Sequence, residues 1–255
     1  MKETIKDLRT ICQKPVIHSA GESWYGIYFS RYISIYLTYL IVRFTNLSAN
    51  FVTFSFIVIG AIGDGLLFFG KSSYALIGVV LLHFWLILDA VDGEVARYRK
   101  KSSIFGIYLD SLGHYIVNPG ILMGLGIYNY VQYSNKFLLY LSFFSFLIMI
   151  YLRLFEDLYY LTISKTKNAG NSRYNVDNEI SENNEKSSIK KKSILKTIIN
   201  ILADDSVLVV ILTVVFIVDL IYPIKLIVLL LYLGYVALYT LLALYLLYKT
   251  VKKMN

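Results

Sequence analysis

Long apolar blocks dominate this chain, and they decide the solvent in which it folds. About six can be drawn, at about 51–70, 74–97, 104–131, 137–164, 205–222 and 225–249. Each is near or above the ~20 residues a helix needs to cross a bilayer. In hydrocarbon a backbone must satisfy its own hydrogen bonds, so blocks of this length are read as helices. Of the 255 residues, 57% are hydrophobic and only 16% are charged. That composition excludes an ordinary soluble domain. The expected fold class is all-α integral membrane, with six transmembrane helices. The single cysteine, Cys12, allows no disulfide framework within the chain. No signal peptide is read ahead of the first apolar run, which begins well after Lys2, Lys6, Arg9 and Lys14.

The basic residues orient the blocks. With the N-terminus inside, only Lys71, Lys136 and Lys225 stand near the outer turns. The inner side then receives Arg97, Arg99, Lys100, Lys101, the 165–196 segment, Lys249, Lys252 and Lys253. Cytoplasmic loops collect Lys and Arg, so both termini are expected in the cytoplasm of a protein integral to the cell membrane. The same bias accounts for the net charge of +8, and no nucleic-acid partner is expected.

Ahead of the first block stands IYFSRYISIYLTYLIVRF. Its polar residues Ser30, Arg31, Ser34 and Thr38 fall near helical spacing. The apolar interval between Arg31 and Arg43 is about eleven residues, too short to span. It reads as an amphipathic helix lying in the membrane interface, with a seventh span as the alternative. Residues 166–200 turn abruptly to Asn, Ser, Lys and Glu, which predicts a mobile cytoplasmic loop whose basic end, Lys190 to Lys192, approaches anionic lipid. The chain thus divides into an N-terminal part, 1–50, and a six-helix membrane domain, 51–255.

Ionisable groups inside apolar segments mark functional sites by default. Asp89 and Asp92 sit three apart at the inner end of one block, and Asp110 and His114 sit four apart at the start of the next. Asp92 and Asp110 lie nine residues either side of Lys101, and Asp89 and His114 lie about one turn further out. In an antiparallel pair this predicts two facing levels, Asp92 with Asp110 and Asp89 with His114, about 4.5–6 Å apart along the axis. Carboxylates so close must protonate, pair with cations or hold metal. Two divalent ions about 3.5–4 Å apart fit two such levels. The oxygen ligands favour Mg²⁺ or Mn²⁺. Gly93, Ala96 and Gly106 keep the neighbourhood small. Arg97 offers a fork suited to phosphate at the inner lip.

These residues resemble the signature of the CDP-alcohol phosphatidyltransferase family, Asp-x2-Asp-Gly-x2-Ala-Arg-x8-Gly-x3-Asp-x3-Asp. Asp89, Asp92, Gly93, Ala96, Arg97, Gly106 and Asp110 match it with both long spacings intact. His114 stands where the last aspartate is expected. The resemblance implies a six-helix membrane enzyme, usually a homodimer, with a dinuclear site facing the cytoplasm. It implies transfer of a phosphatidyl or phospho-alcohol group from a CDP-linked donor to an alcohol acceptor, with release of CMP, in the synthesis of phospholipids or related membrane glycoconjugates. It also implies that the first three aspartates bind metal and donor pyrophosphate, and that the glycines, alanine and arginine shape the CDP site. It implies, too, that the last aspartate of the signature is metal-associated and deprotonates the acceptor. Two readings of His114 stand side by side: a general base whose reference pKa of about 6.5 suits proton abstraction, or an altered metal centre with lost or redirected activity.

Several further residues carry alternatives. Arg153 shares the depth of Asp89 and His114, where it binds an acceptor phosphate or pairs with Asp157 or Glu156. Asn50 and Thr53 open the first block, either near the nucleotide, as in related enzymes, or as helix caps. Glu94 points away from the carboxylate face and reads as packing or pairing. Asp64 reads as structural, and His83 as a hydrogen-bonded core histidine. Pro119 is expected to kink its helix. An ion-coupled transporter is the competing class, since buried carboxylates also bind coupling ions.

Overall fold

In a computed structural model of the chain, residues 4–16, 25–168 and 204–254 are described, and those residues are helical almost throughout with no strand. A short helix, α1 (Ile5–Leu8), continues as a π-helical turn over Arg9–Gln13. A second π turn, Gly26–Ser30, leads into α2 (Arg31–Phe44). The apolar blocks form α3 (Ala49–Leu67), α4 (Ser72–Arg99), α5 (Ile104–Tyr133), α6 (Lys136–Asn168), α7 (Asp205–Ile221) and α8 (Lys225–Met254).

Four of these helices are long and apolar enough to cross a membrane: Ala49–Leu67, Ser72–Arg99, Lys136–Phe155 and Lys225–Tyr248. The other two expected spans also coincide with helices. One, α7, has 17 residues, just under the usual ~20. The other, α5, is broken in its apolar character by Asp110, His114, Asn118 and Gln132. Pro119 lies inside α5, which runs as one helix from Ile104 to Tyr133. The loop expected at 166–200 lies outside the described residues beyond Asn168, where α6 ends.

The helix order in space follows from where glycine lets backbones approach. A Cβ on Gly63 of α3 would come within 2.9 Å of the Gly78 carbonyl oxygen on α4. On the other side of α3, a Cβ on Gly113 of α5 would meet the Phe56 ring, and one on Gly124 would meet Leu67. Small residues at these crossings let α3 pack along both α4 and α5. The antiparallel α4–α5 pair expected from the sequence is therefore opened. The two helices hardly touch along their backbones; α3 packs against both, and α4 and α5 meet through side chains such as Asp89, Trp85 and His114. Phe56, Leu82, Trp85, Ile121, Leu125, Leu212, Phe216 and Tyr232 fill the core between α3, α4, α5, α7 and α8.

The amphipathic stretch is a helix, but its polar stripe does not face water. Arg31, Ser34, Ile35 and Thr38 are buried against the protein, while Tyr32, Ile33, Tyr36, Leu40 and Phe44 are exposed. The polar residues turn inward because Glu94 of α4 is there to meet them, as the hydrogen bonds below show.

Candidate active site

The turn between α4 and α5 sets the site. Lys100 closes α4 in the left-handed region at φ 50°, and the Lys101 amide donates back to the Ala96 carbonyl at 3.1 Å. Ser103 then caps α5, its Oγ accepting from the Gly106 amide at 2.9 Å. Two sharp helix ends, three residues apart, aim the acidic stretches of α4 and α5 at one volume.

Within that volume Asp89, Asp110 and His114 converge. The His114 Nε2 atom lies 3.4 Å from Asp89 Oδ1 and 3.8 Å from Asp110 Oδ1. One ligand atom from each of the three lies within 4.8 Å of the others. Two carboxylates and an imidazole so grouped could hold a divalent cation. The expected facing of Asp89 with His114 is present. Asp92 stands apart from the trio. Its carboxylate is 9% exposed and accepts a hydrogen bond from Thr53 Oγ1 on α3 at 2.7 Å. It remains within electrostatic range of Asp89 and Asp110.

The ring of His114 is wedged between Phe56 and Trp85, with centroids at 6.4 and 5.8 Å. That packing leaves Nε2 toward the carboxylates. Nδ1 is buried and has no hydrogen-bond partner among the described residues.

The small residues sit where close approach occurs. A Cβ on Gly93 would lie 3.1 Å from the Arg97 guanidinium, which therefore folds down over the helix backbone. Arg97 Nε donates to the Cys12 carbonyl at 2.6 Å, so the lip arginine is tied to the N-terminal segment. Ala96 is half-buried one residue before it. A Cβ on Gly106 would come 2.7 Å from Asn50 Oδ1, and Ser103 Oγ donates to that same oxygen at 3.4 Å. Asn50 and Thr53 do not cap α3: Ser48 does, accepting from the Phe51 amide at 3.2 Å. Asn50 instead meets Ser103 ahead of α5, and Thr53 meets Asp92 of α4.

Arg153 of α6 lies within electrostatic range of Asp110, His114 and Asp205. Asp157, one turn on, accepts from Tyr115 of α5 at 2.9 Å.

Glu94 is fully buried on the opposite face of α4. It accepts from Gln13 Nε2 at 2.8 Å, Ser34 Oγ at 2.6 Å and Thr38 Oγ1 at 2.7 Å, with Arg31 Nη1 at 3.6 Å. His83 is hydrogen-bonded on both ring nitrogens, to Tyr25 and Thr213 at 2.7 Å each. Asp64 is buried against Gly120, in the half of α3 away from the site.

A polar cluster for which no sequence motif speaks lies one turn beyond His114. Asn118 Nδ2 donates to Asp205 Oδ2 at 2.5 Å, and Tyr239 donates to Asp205 Oδ1 at 3.3 Å. An asparagine between Val117 and Pro119 carries no motif, and its partner lies 87 residues away. The one signal for it was a polar residue on the His114 stripe.

Ionisable side chains gathered between membrane-length helices, with a donor set suited to a divalent cation, define a membrane protein with a polar site built into its helical bundle. Residues 44–169 match the model of the CDP-alcohol phosphatidyltransferase family, and the chain carries a domain of that family there. The domain is of the type that transfers a phospho-alcohol group from a CDP-linked donor to an alcohol, in a family that uses divalent metals. No curated protein matches the chain.

Proposed function

We propose that the chain transfers a phosphatidyl or phospho-alcohol group from a CDP-linked donor to an alcohol acceptor at a dinuclear Mg²⁺ or Mn²⁺ site, releasing CMP. The convergence of Asp89, Asp110 and His114 inside the family domain carries this reading. Asp89, Asp92 and Asp110 hold the metals. Thr53 orients Asp92 by donating to one carboxylate oxygen. When bound, divalent ions neutralise charge on the donor's pyrophosphate. Arg97, folded over Gly93, adds a cationic fork for the departing phosphate. Ala96, Gly106, Asn50 and Thr53 shape the nucleotide end, and Arg153 takes a phosphate or head group of the acceptor.

An aspartate can ligate with one oxygen and accept a proton with the other. His114 presents Nε2 alone, because Nδ1 is buried. We assign Nε2 the base: it takes the acceptor's hydroxyl proton as the oxygen attacks the β-phosphorus. The bond from that phosphorus to its bridging oxygen breaks, and CMP leaves with the oxygen. The 4.8 Å grouping also favours a second reading, in which Nε2 ligates a metal. The two separate on His114→Ala, which weakens Mn²⁺ binding only in the second.

The same reading has six spans with both termini and the site cytoplasmic, α2 in the interface with its aromatic face toward lipid, and a homodimeric assembly in the cell membrane. The test is a panel of CDP-linked donors and alcohols offered to purified protein with Mg²⁺ or Mn²⁺. Metal-dependent CMP release is expected with at least one pair. Its absence with every pair leaves a transporter or a catalytically degenerate relative.

A further inference from the structure

Two buried polar atoms near the site lack a hydrogen-bond partner among the described residues, and they belong to residues one helical turn apart. They are Nδ1 of His114 and Oδ1 of Asn118. Residues four apart on a helix have Cβ atoms about 5–6 Å from each other. Helical side chains also lean toward the N-terminus, so Asn118 leans toward His114. A rotamer adjustment or one bridging water would bring the pair into hydrogen-bond contact.

The amide is held from behind. Asn118 is 3% exposed, and its Nδ2 donates to Asp205, which Tyr239 also engages. A carboxylate accepts and does not donate, so Asp205 fixes which end of the amide it receives. The carbonyl end is left for its neighbour on α5.

We infer that Asn118 is a positioning residue for His114: its side-chain carbonyl accepts from Nδ1–H and holds the neutral imidazole in the tautomer whose Nε2 lone pair faces the acidic cluster. The inference rests on the reading of His114 as a working member of the site, and it serves either role given there, since base and ligand both need a bare Nε2. It also explains how histidine can occupy a position where the family signature has aspartate, which needs no such fixing. One competitor stands nearby. The Trp85 indole N–H also lacks a hydrogen-bond partner among the described residues, and that ring meets the imidazole edge-on. A donor at Nδ1 would place the proton on Nε2 and spoil the site.

The ring nitrogens decide between them. The chain has three histidines, so ¹⁵N-histidine protein loaded with Mg²⁺ gives a short spectrum in which His114→Asp identifies the His114 signals. At a pH well above the ordinary imidazole range of about 6.5, the expected wild-type form has Nδ1 protonated and Nε2 bare. Asn118→Leu is expected to mix or invert the tautomers and to lower kcat roughly tenfold. The same change in a His114→Asp protein is expected to alter kcat less than about twofold, since no imidazole remains to be held. Should Asn118→Leu fold poorly, Asn118→Thr keeps an oxygen and is expected to cause a smaller loss, again confined to the His114 protein. A protonated Nε2 in the wild type overturns the inference, as does an unchanged tautomer in Asn118→Leu or an equal loss in both backgrounds. If no CDP donor yields CMP, the transferase reading falls, while the spectrum still decides the tautomer.

Discussion

Thr53 of α3 donates a hydrogen bond to Asp92 of α4 at 2.7 Å. A hydroxyl 39 residues from the acidic stretch thus decides how one of its carboxylates is presented. Thr53→Val keeps the shape and removes the donor, leaving a buried carboxylate short of a partner. The expected result is a roughly tenfold loss in kcat/KM with a stability loss of about 1–3 kcal/mol. Thr53→Ser restores both. Kinetics of CMP release and thermal unfolding of the three proteins check it.

The trio of Asp89, Asp110 and His114 predicts the response to metal. Chelation is expected to abolish CMP release, and Mg²⁺ or Mn²⁺ to restore it. Asp89→Ala and Asp110→Ala each remove one oxygen ligand set. Both are expected to weaken Mn²⁺ binding, read as unbound Mn²⁺ by electron paramagnetic resonance, and to lose turnover. Full turnover in either variant would count against the site.

His114 predicts an asymmetry between two substitutions. His114→Asp restores the family signature and is expected to keep substantial transfer. His114→Ala removes the base and is expected to lose about 10²-fold or more in kcat. An inactive His114→Asp beside a fully active His114→Ala would remove the base assignment.

Glu94 predicts a loss of stability and of N-terminal docking. It is fully buried and receives Gln13, Ser34, Thr38 and Arg31. Glu94→Ala takes the acceptor away from the buried Gln13 amide and the Ser34 and Thr38 hydroxyls, so a loss of about 1–3 kcal/mol is expected. Limited proteolysis is expected to cut the N-terminal segment faster. Because Arg97 bonds the Cys12 carbonyl in that segment, a rise in donor KM should accompany it.

Much of the site was legible along single helices. The three- and four-residue spacings of Asp89, Asp92, Asp110 and His114 fix a shared face, and the short turn after Arg99 fixes their relative depth. That is why Asp89 and His114 meet as their positions imply, whereas Asp92, expected level with Asp110, stands outside that group and is held by Thr53 of α3. Glu94, read as pointing away from that face, does so and is paired. His83 is hydrogen-bonded on both sides, as a core histidine should be.

Other features needed the assembled bundle. The backbones of α4 and α5 hardly touch because glycines on α3, α4 and α5 let α3 pack against both, a choice among packings that no spacing states. The polar stripe of α2 faces Glu94 rather than water, and their bonds bridge 56 and 60 residues. Asn118 finds Asp205 across 87 residues. The order of residues settles what each helix is, which groups share its face and how deep they lie, because those depend on rise and rotation along one axis. How the helices turn toward one another depends on all their surfaces at once, and only the folded bundle decides it.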